Sequence, residues 1–112
     1  MHHVSINVAD VEAATEFYNE VFGFEILPRP DLGVNGTWLA ITDAQELHLI
    51  EGDVPRALGQ HFSLRVDAIG DAVAELRGRG LEVRGPTDLP NGARQAFVED
   101  PSGNLVEITQ PS

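Results

Sequence analysis

Cysteine is absent from the 112 residues. That excludes a disulfide scaffold, a thiolate nucleophile and any Cys-ligated zinc or iron–sulfur site. Lysine is absent too. All seven basic residues are Arg, set against 18 Asp and Glu, for a formal net charge of −11. A chain this acidic is repelled by phosphate backbones and anionic lipid, so nucleic acid and membrane surfaces are poor partners. No apolar run approaches the roughly 20 residues of a membrane span. Met1-His2-His3 leads straight into an alternating segment, so no signal peptide is expected and a cytoplasmic location is. Aromatics make up only 6% of the chain, but 42% of it is apolar, enough for one packed core. The length suits a single domain, 1–112.

What is present is a pattern that runs twice. Val4, Ile6 and Val8 alternate with polar residues, as in a short strand. Asp10 suits an N-cap, and Val11, Ala14, Phe17, Tyr18, Val21 and Phe22 then recur at helical spacing up to Gly23. Strands are predicted at Phe24–Leu27, Thr37–Thr42 and Glu46–Glu51, with a loop marked by Pro28, Pro30, Gly33 and Gly36 between the first two. A linker follows at Gly52–Gly59. The plan then starts again. A strand is predicted at His61–Val66, a helix at Ile69–Arg79 stopped by Gly80, and strands at Leu81–Arg84, Ala93–Glu99 and Asn104–Thr109. Gly85–Gly92 reads as a loop and Asp100-Pro101-Ser102-Gly103 as a type I turn.

The order βαβββ, βαβββ is supported by residue matches. At an offset of 58, His3 meets His61, Ser5 meets Ser63, Val8 meets Val66 and Ala14 meets Ala72. At 59, Trp38 meets Phe97, Leu47 meets Val106 and Leu49 meets Ile108. Such a repeat fixes the architecture. It predicts an α+β fold of two tandem modules, about 1–52 and 60–112, forming a partly open barrel.

Four residues of metal-ligand type occupy paired positions of that repeat. His3 and His61 open the first strands of the two modules. His48 lies in the last strand of the first module, and its counterpart at an offset of 59 is Glu107 in the last strand of the second. A lone strand histidine is ordinarily a core or surface residue, but unrelated histidines need not fall at equivalent sites. If each module curls into half a barrel, three imidazoles and one carboxylate converge. That set suits a borderline divalent ion such as Zn, Fe, Co, Ni or Mn. His2 alternates to the opposite face and is expected to be an exposed terminal residue.

The chain resembles the vicinal oxygen chelate superfamily, the glyoxalase, bleomycin-resistance and extradiol-dioxygenase group. The resemblance is carried by His3-Val4-Ser5-Ile6-Asn7-Val8-Ala9-Asp10, Phe17-Tyr18, Val21-Phe22-Gly23-Phe24, Gln60-His61-Phe62 and the ending Phe97-Val98-Glu99-Asp100-Pro101-Ser102-Gly103-Asn104-Leu105-Val106-Glu107. It covers essentially the whole chain. It implies the glyoxalase/bleomycin-resistance fold, a homodimer, and one divalent metal on His3, His48, His61 and Glu107. It also implies a small-molecule substrate with two neighbouring oxygens, polarised by a Lewis acid.

Glyoxalase I proper has a carboxylate where this chain has His48, so the resemblance implies a glyoxalase-like lyase or isomerase acting on a small carbonyl compound. Two alternatives belong to the same resemblance. An extradiol dioxygenase needs only His3, His61 and Glu107, and a metal-free drug-binding module needs none of the four. Alternation adds substrate-binding candidates. Asn7 and Arg65 share the faces of His3 and His61, Trp38 lines the pocket or fills core, and Arg94 follows a flexible loop. No residue is singled out as the catalytic base.

Overall fold

The computed structural model of the chain describes residues 1–56 and 59–112; the part of the expected linker at 57 and 58 lies outside the described residues. The fold is α+β and built from two βαβββ modules. The first contains β1 (His3–Val8), α1 (Val11–Phe22), β2 (Glu25–Leu27), β3 (Gly36–Ala40) and β4 (Glu46–Glu51). The second contains β5 (His61–Arg65), α2 (Ile69–Gly78), β6 (Arg84–Asp88), β7 (Arg94–Glu99) and β8 (Leu105–Gln110). Two compact units result. One is built on Met1–Arg56 with Pro101–Asn104, the other on the chain from β5 to Asp100 with Leu105–Ser112.

Each unit has one open four-stranded sheet, of order β1-β4-β3-β2 in the first and β5-β8-β7-β6 in the second. The first and last strands of each module are parallel neighbours, and the remaining pairs are antiparallel. A parallel pair needs a long crossover, here a helix and two strands.

α1 starts where the sequence says it should. The Asp10 side chain accepts from the Ala13 N–H at 3.1 Å, and Gly23 closes the helix in the left-handed region at φ 72°. Its buried face, Val11, Ala14, Phe17 and Tyr18, belongs to one core with Val8, Leu39, Leu47 and Leu49. In the second unit Ile69, Val73 and Leu76 of α2 are buried with Ala96, Val98, Val106 and Ile108 of the sheet. Strand alternation leaves His3, Ser5, Asn7, His48 and Trp38 on the face opposite Leu47 and Leu49. It likewise leaves His61, Ser63, Phe97 and Glu107 opposite Val106 and Ile108.

The second module departs from expectation in one element. Leu81, Glu82 and Val83 of the strand predicted at Leu81–Arg84 form a connection, and β6 starts at Arg84 and runs on into the predicted loop. The Arg77 guanidinium donates to the carbonyls of Val83 and Gly85 at 3.0 and 2.8 Å, so those acceptors serve the helix rather than the strand ladder. β6 is an edge strand with a register shift between Arg84 and Thr87, where Pro86 needs no ladder donor.

Candidate functional site

In the first unit the expected ligands meet through their rings. His3 and His48 stack with centroids 4.0 Å apart and planes within 12°. Trp38, the direct cross-strand partner of His48, stacks on the other side at 4.6 Å and 13°. His48 is buried, and its Nε2–H donates to Glu46 Oε1 at 2.9 Å. That bond holds the Glu46 carboxyl below its ordinary value; the charges of His2, His48 and His3 add to the effect, and burial works against it. A carboxylate accepts only, so while this bond stands it is Nδ1 of a neutral His48 that is left as a lone-pair donor.

Glu46 escapes a search for paired positions because its counterpart at an offset of 59 is Leu105. The available signal is its place two residues before His48, on the same strand face. His2 keeps a side chain 71% exposed, as expected. It still reaches the cluster: its Nδ1 lies 2.9 Å from Nδ1 of His3, and its Nε2 is 3.9 Å from Glu46 Oε2.

The second unit holds the other pair. His61 Nδ1–H donates to the Gly59 carbonyl at 2.8 Å. A carbonyl can only accept, so in the neutral ring this bond fixes the proton on Nδ1 and leaves Nε2 as the lone pair. Nε2 sits 3.9 Å from Glu107 Oε1. That is too long for a hydrogen bond. Two ligands on one ion, with bonds of about 2.1 Å each, lie roughly 3–4 Å apart. A backbone carbonyl fixing the far nitrogen is also the usual outer support of a metal-bound histidine. The Phe97 ring meets His61 edge to face at 5.6 Å, and Phe97 pairs across the strands with Glu107 as Trp38 does with His48.

By residue type the four candidates suit a borderline divalent ion, but each unit carries only two, and among the described residues no group of three or more His, Asp or Glu is gathered as an ion needs.

The remaining candidates are occupied in different ways. The Asn7 side-chain amide donates to the Asp53 carbonyl at 3.1 Å, and its backbone carbonyl accepts from the Asn104 side chain at 2.9 Å. Arg94 Nε donates to Asp88 Oδ1 at 2.8 Å across the β6–β7 pair. Arg65, expected to point inward, is exposed at the end of β5. Trp38 is half-buried within the ring stack.

Two βαβββ modules, each with its first and last strands as parallel neighbours, define a class of small α+β protein. Comparison with known proteins places the chain within that class. Residues 1–108 match the model of the Glyoxalase/Bleomycin resistance protein/Dioxygenase superfamily, and the chain belongs to that superfamily.

Its relatives carry several activities. It is 30% identical to a protein of Neisseria meningitidis named "Lactoylglutathione lyase", over 96% of this chain and 88% of that one. It is also 30% identical to the mitochondrial "Methylmalonyl-CoA epimerase" of Mus musculus, over 98% of this chain and 72% of that one. Against "Lactoylglutathione lyase GLX1" of Arabidopsis thaliana, 28% identical, the chain spans 43% of the relative's length. Among solved structures, the antibiotic binding protein TnmS3 from Streptomyces sp. CB03234 superposes with a TM-score of 0.81 at 32% identity, covering 100% of this chain and 95% of that one.

Proposed function

We propose that the chain is a metal-dependent enzyme of the lyase or isomerase type, acting on a small carbonyl compound with two neighbouring oxygens. The observation that carries this reading is the His61 arrangement, with its outer nitrogen fixed by Gly59 and its inner nitrogen facing Glu107. His61 and Glu107 supply one half of the ligand set and His3 and His48 the other, the two halves coming from one chain or from two copies in a homodimer. The bound ion supplies Lewis-acid polarisation of the substrate oxygens. The protein's own part is to hold the ligands and orient the substrate beside the Trp38 ring. His48 in place of a carboxylate lowers the formal ligand charge, which favours an electron-poor centre over a basic one. The lyase and epimerase names of the relatives support a reaction that moves a proton rather than an electron.

The test is turnover. Protein loaded separately with Zn, Ni, Co, Mn and Fe(II) is given the hemithioacetal of methylglyoxal with glutathione or another thiol. The proposal expects loss of the hemithioacetal that stops on adding a chelator. Oxygen uptake with catechol under Fe(II) instead assigns an extradiol dioxygenase.

A second reading is favoured by the likeness to the antibiotic binding protein and by the Trp38 stack. In it the chain sequesters a planar, cationic compound drawn by the charge of −11. Tight binding that ignores chelator, with no turnover under any metal, assigns that function.

A further inference from the structure

The seven arginines are nearly all accounted for. Arg77 donates to two carbonyls, Arg79 pairs with Glu75 and Arg94 with Asp88. Arg84 lies over the Phe97 ring at 5.9 Å, and Arg56 and Arg65 are exposed. Arg29, in the segment between β2 and β3, is different. It is half-buried, and its Nε is sealed from solvent without a hydrogen-bond partner. Among the described residues none of the carboxylates forms an ion pair with it.

The guanidinium is held by packing. It lies against the backbone of Gly36: a Cβ at that position would come within 3.0 Å of Nη2 and 3.2 Å of Cζ, and would also collide with the Leu49 carbonyl. Gly36 thus makes the room that Arg29 fills. Gly36 pairs with Ile50, two residues of strand from the Trp38–His48 pair. The backbone that Arg29 packs against therefore lies about 7 Å along the sheet from the His48 row.

A cation kept partly out of water and unneutralised is costly unless something pairs with it. In a chain with 18 carboxylates, leaving this one unpaired marks it for a partner from outside. We propose that Arg29 is the anion anchor of the site, taking a carboxylate at one end of a substrate whose other end presents the vicinal oxygens. This rests on the reading of His48 as a metal ligand, and it narrows the substrate class to carboxylic acids. A fixed guanidinium receives a carboxylate at low cost in side-chain ordering, and its planar fork gives direction.

The test compares two probes on metal-loaded protein. Catechol has vicinal oxygens alone; 3,4-dihydroxybenzoate adds a carboxylate on the far side of the ring. Wild type is expected to bind the dihydroxybenzoate at least tenfold more tightly. Arg29→Gln loses that advantage while keeping its metal and its catechol affinity, and Arg29→Lys keeps part of it.

In 15N-arginine-labelled wild type the Arg29 side-chain signal shifts with the dihydroxybenzoate and stays still with catechol. An unmoved Arg29 signal, or an Arg29→Gln variant that keeps the full advantage, overturns the proposal. If catechol does not bind at all, it is the metal reading that has failed. A titration of metal-free wild type with benzoate then decides on Arg29 alone: a shifted signal supports the anchor and an unshifted one overturns it.

Discussion

His3 and His48 stack face to face at 4.0 Å although they are not cross-strand partners. The register sets Ser5 beside His48 and His3 beside Glu46, so the two rings meet along a diagonal. A small residue at position 5 leaves the space for them. The stack binds the first strand of the module to the last through side chains as well as through the ladder, and Glu46 anchors its inner member.

Glu46 is accordingly expected to act on metal through His48. Outer partners of metal ligands are worth about 10–100-fold in affinity. Glu46→Gln should weaken binding by that order, with unchanged stoichiometry at saturating metal. Competition against a coloured chelator reads it directly; an unchanged affinity would mean that His48 does not depend on this bond.

The same bond gives stability a pH dependence of definite sign. The carboxyl of Glu46 titrates below its ordinary value of 4.5, the His48 hydrogen bond being the main cause. A depressed acid contributes above its unfolded pKa and loses the contribution as pH falls through the folded one. The melting-temperature gap between wild type and Glu46→Gln should be present above pH 4.5 and close as pH falls through the depressed Glu46 value. A gap that stays open at the acid end would contradict the assignment.

Two glycines separate conformational strain from steric conflict. Gly23 is left-handed at φ 72°, and a Cβ added there would meet nothing within 4 Å. Gly85 has φ 101°, and a Cβ there would lie 2.8 Å from the Gln95 carbonyl. Gly23→Ala should cost about 1–2 kcal/mol. Gly85→Ala should cost at least about 1 kcal/mol more, because backbone of the β6–β7 pair must also shift. Urea melts of the two variants measure the difference.

The two helices start unequally. Asp10 caps α1, but Ala68 at the head of α2 offers no side-chain acceptor, and the Ile69 N–H is taken instead by Gln110 Oε1 at 2.9 Å. Asp10→Ala should lose about 1 kcal/mol, and Ala68→Ser should gain up to about 1 kcal/mol. Equilibrium unfolding of both variants checks the pair.

Much of this is legible in the sequence, for physical reasons that also explain the rest. α1 is bounded by a capping Asp10 and a left-handed Gly23, both local signals, and its limits are as expected. β4 and β7 are short apolar runs bounded by turn signals and lie where predicted to within a residue. β6 lies away from its expected place because its pairing depends on a bulge and on Arg77 capturing the carbonyls before it, which no local pattern reports. The repeat finds residues that have counterparts, such as His3 with His61. It is blind to Glu46, whose matching position holds Leu105, and to Arg29, whose meaning comes from the backbone of Gly36.

The four-ligand set His3, His48, His61 and Glu107 is a proposal. Elemental analysis of untagged protein tests it, comparing wild type with His61→Ala and Glu107→Ala after incubation with Zn, Ni, Mn and Fe(II). About one transition-metal ion per chain is expected in wild type, and its loss in both variants. A wild type that binds no metal, or an ion that survives both substitutions, would contradict it.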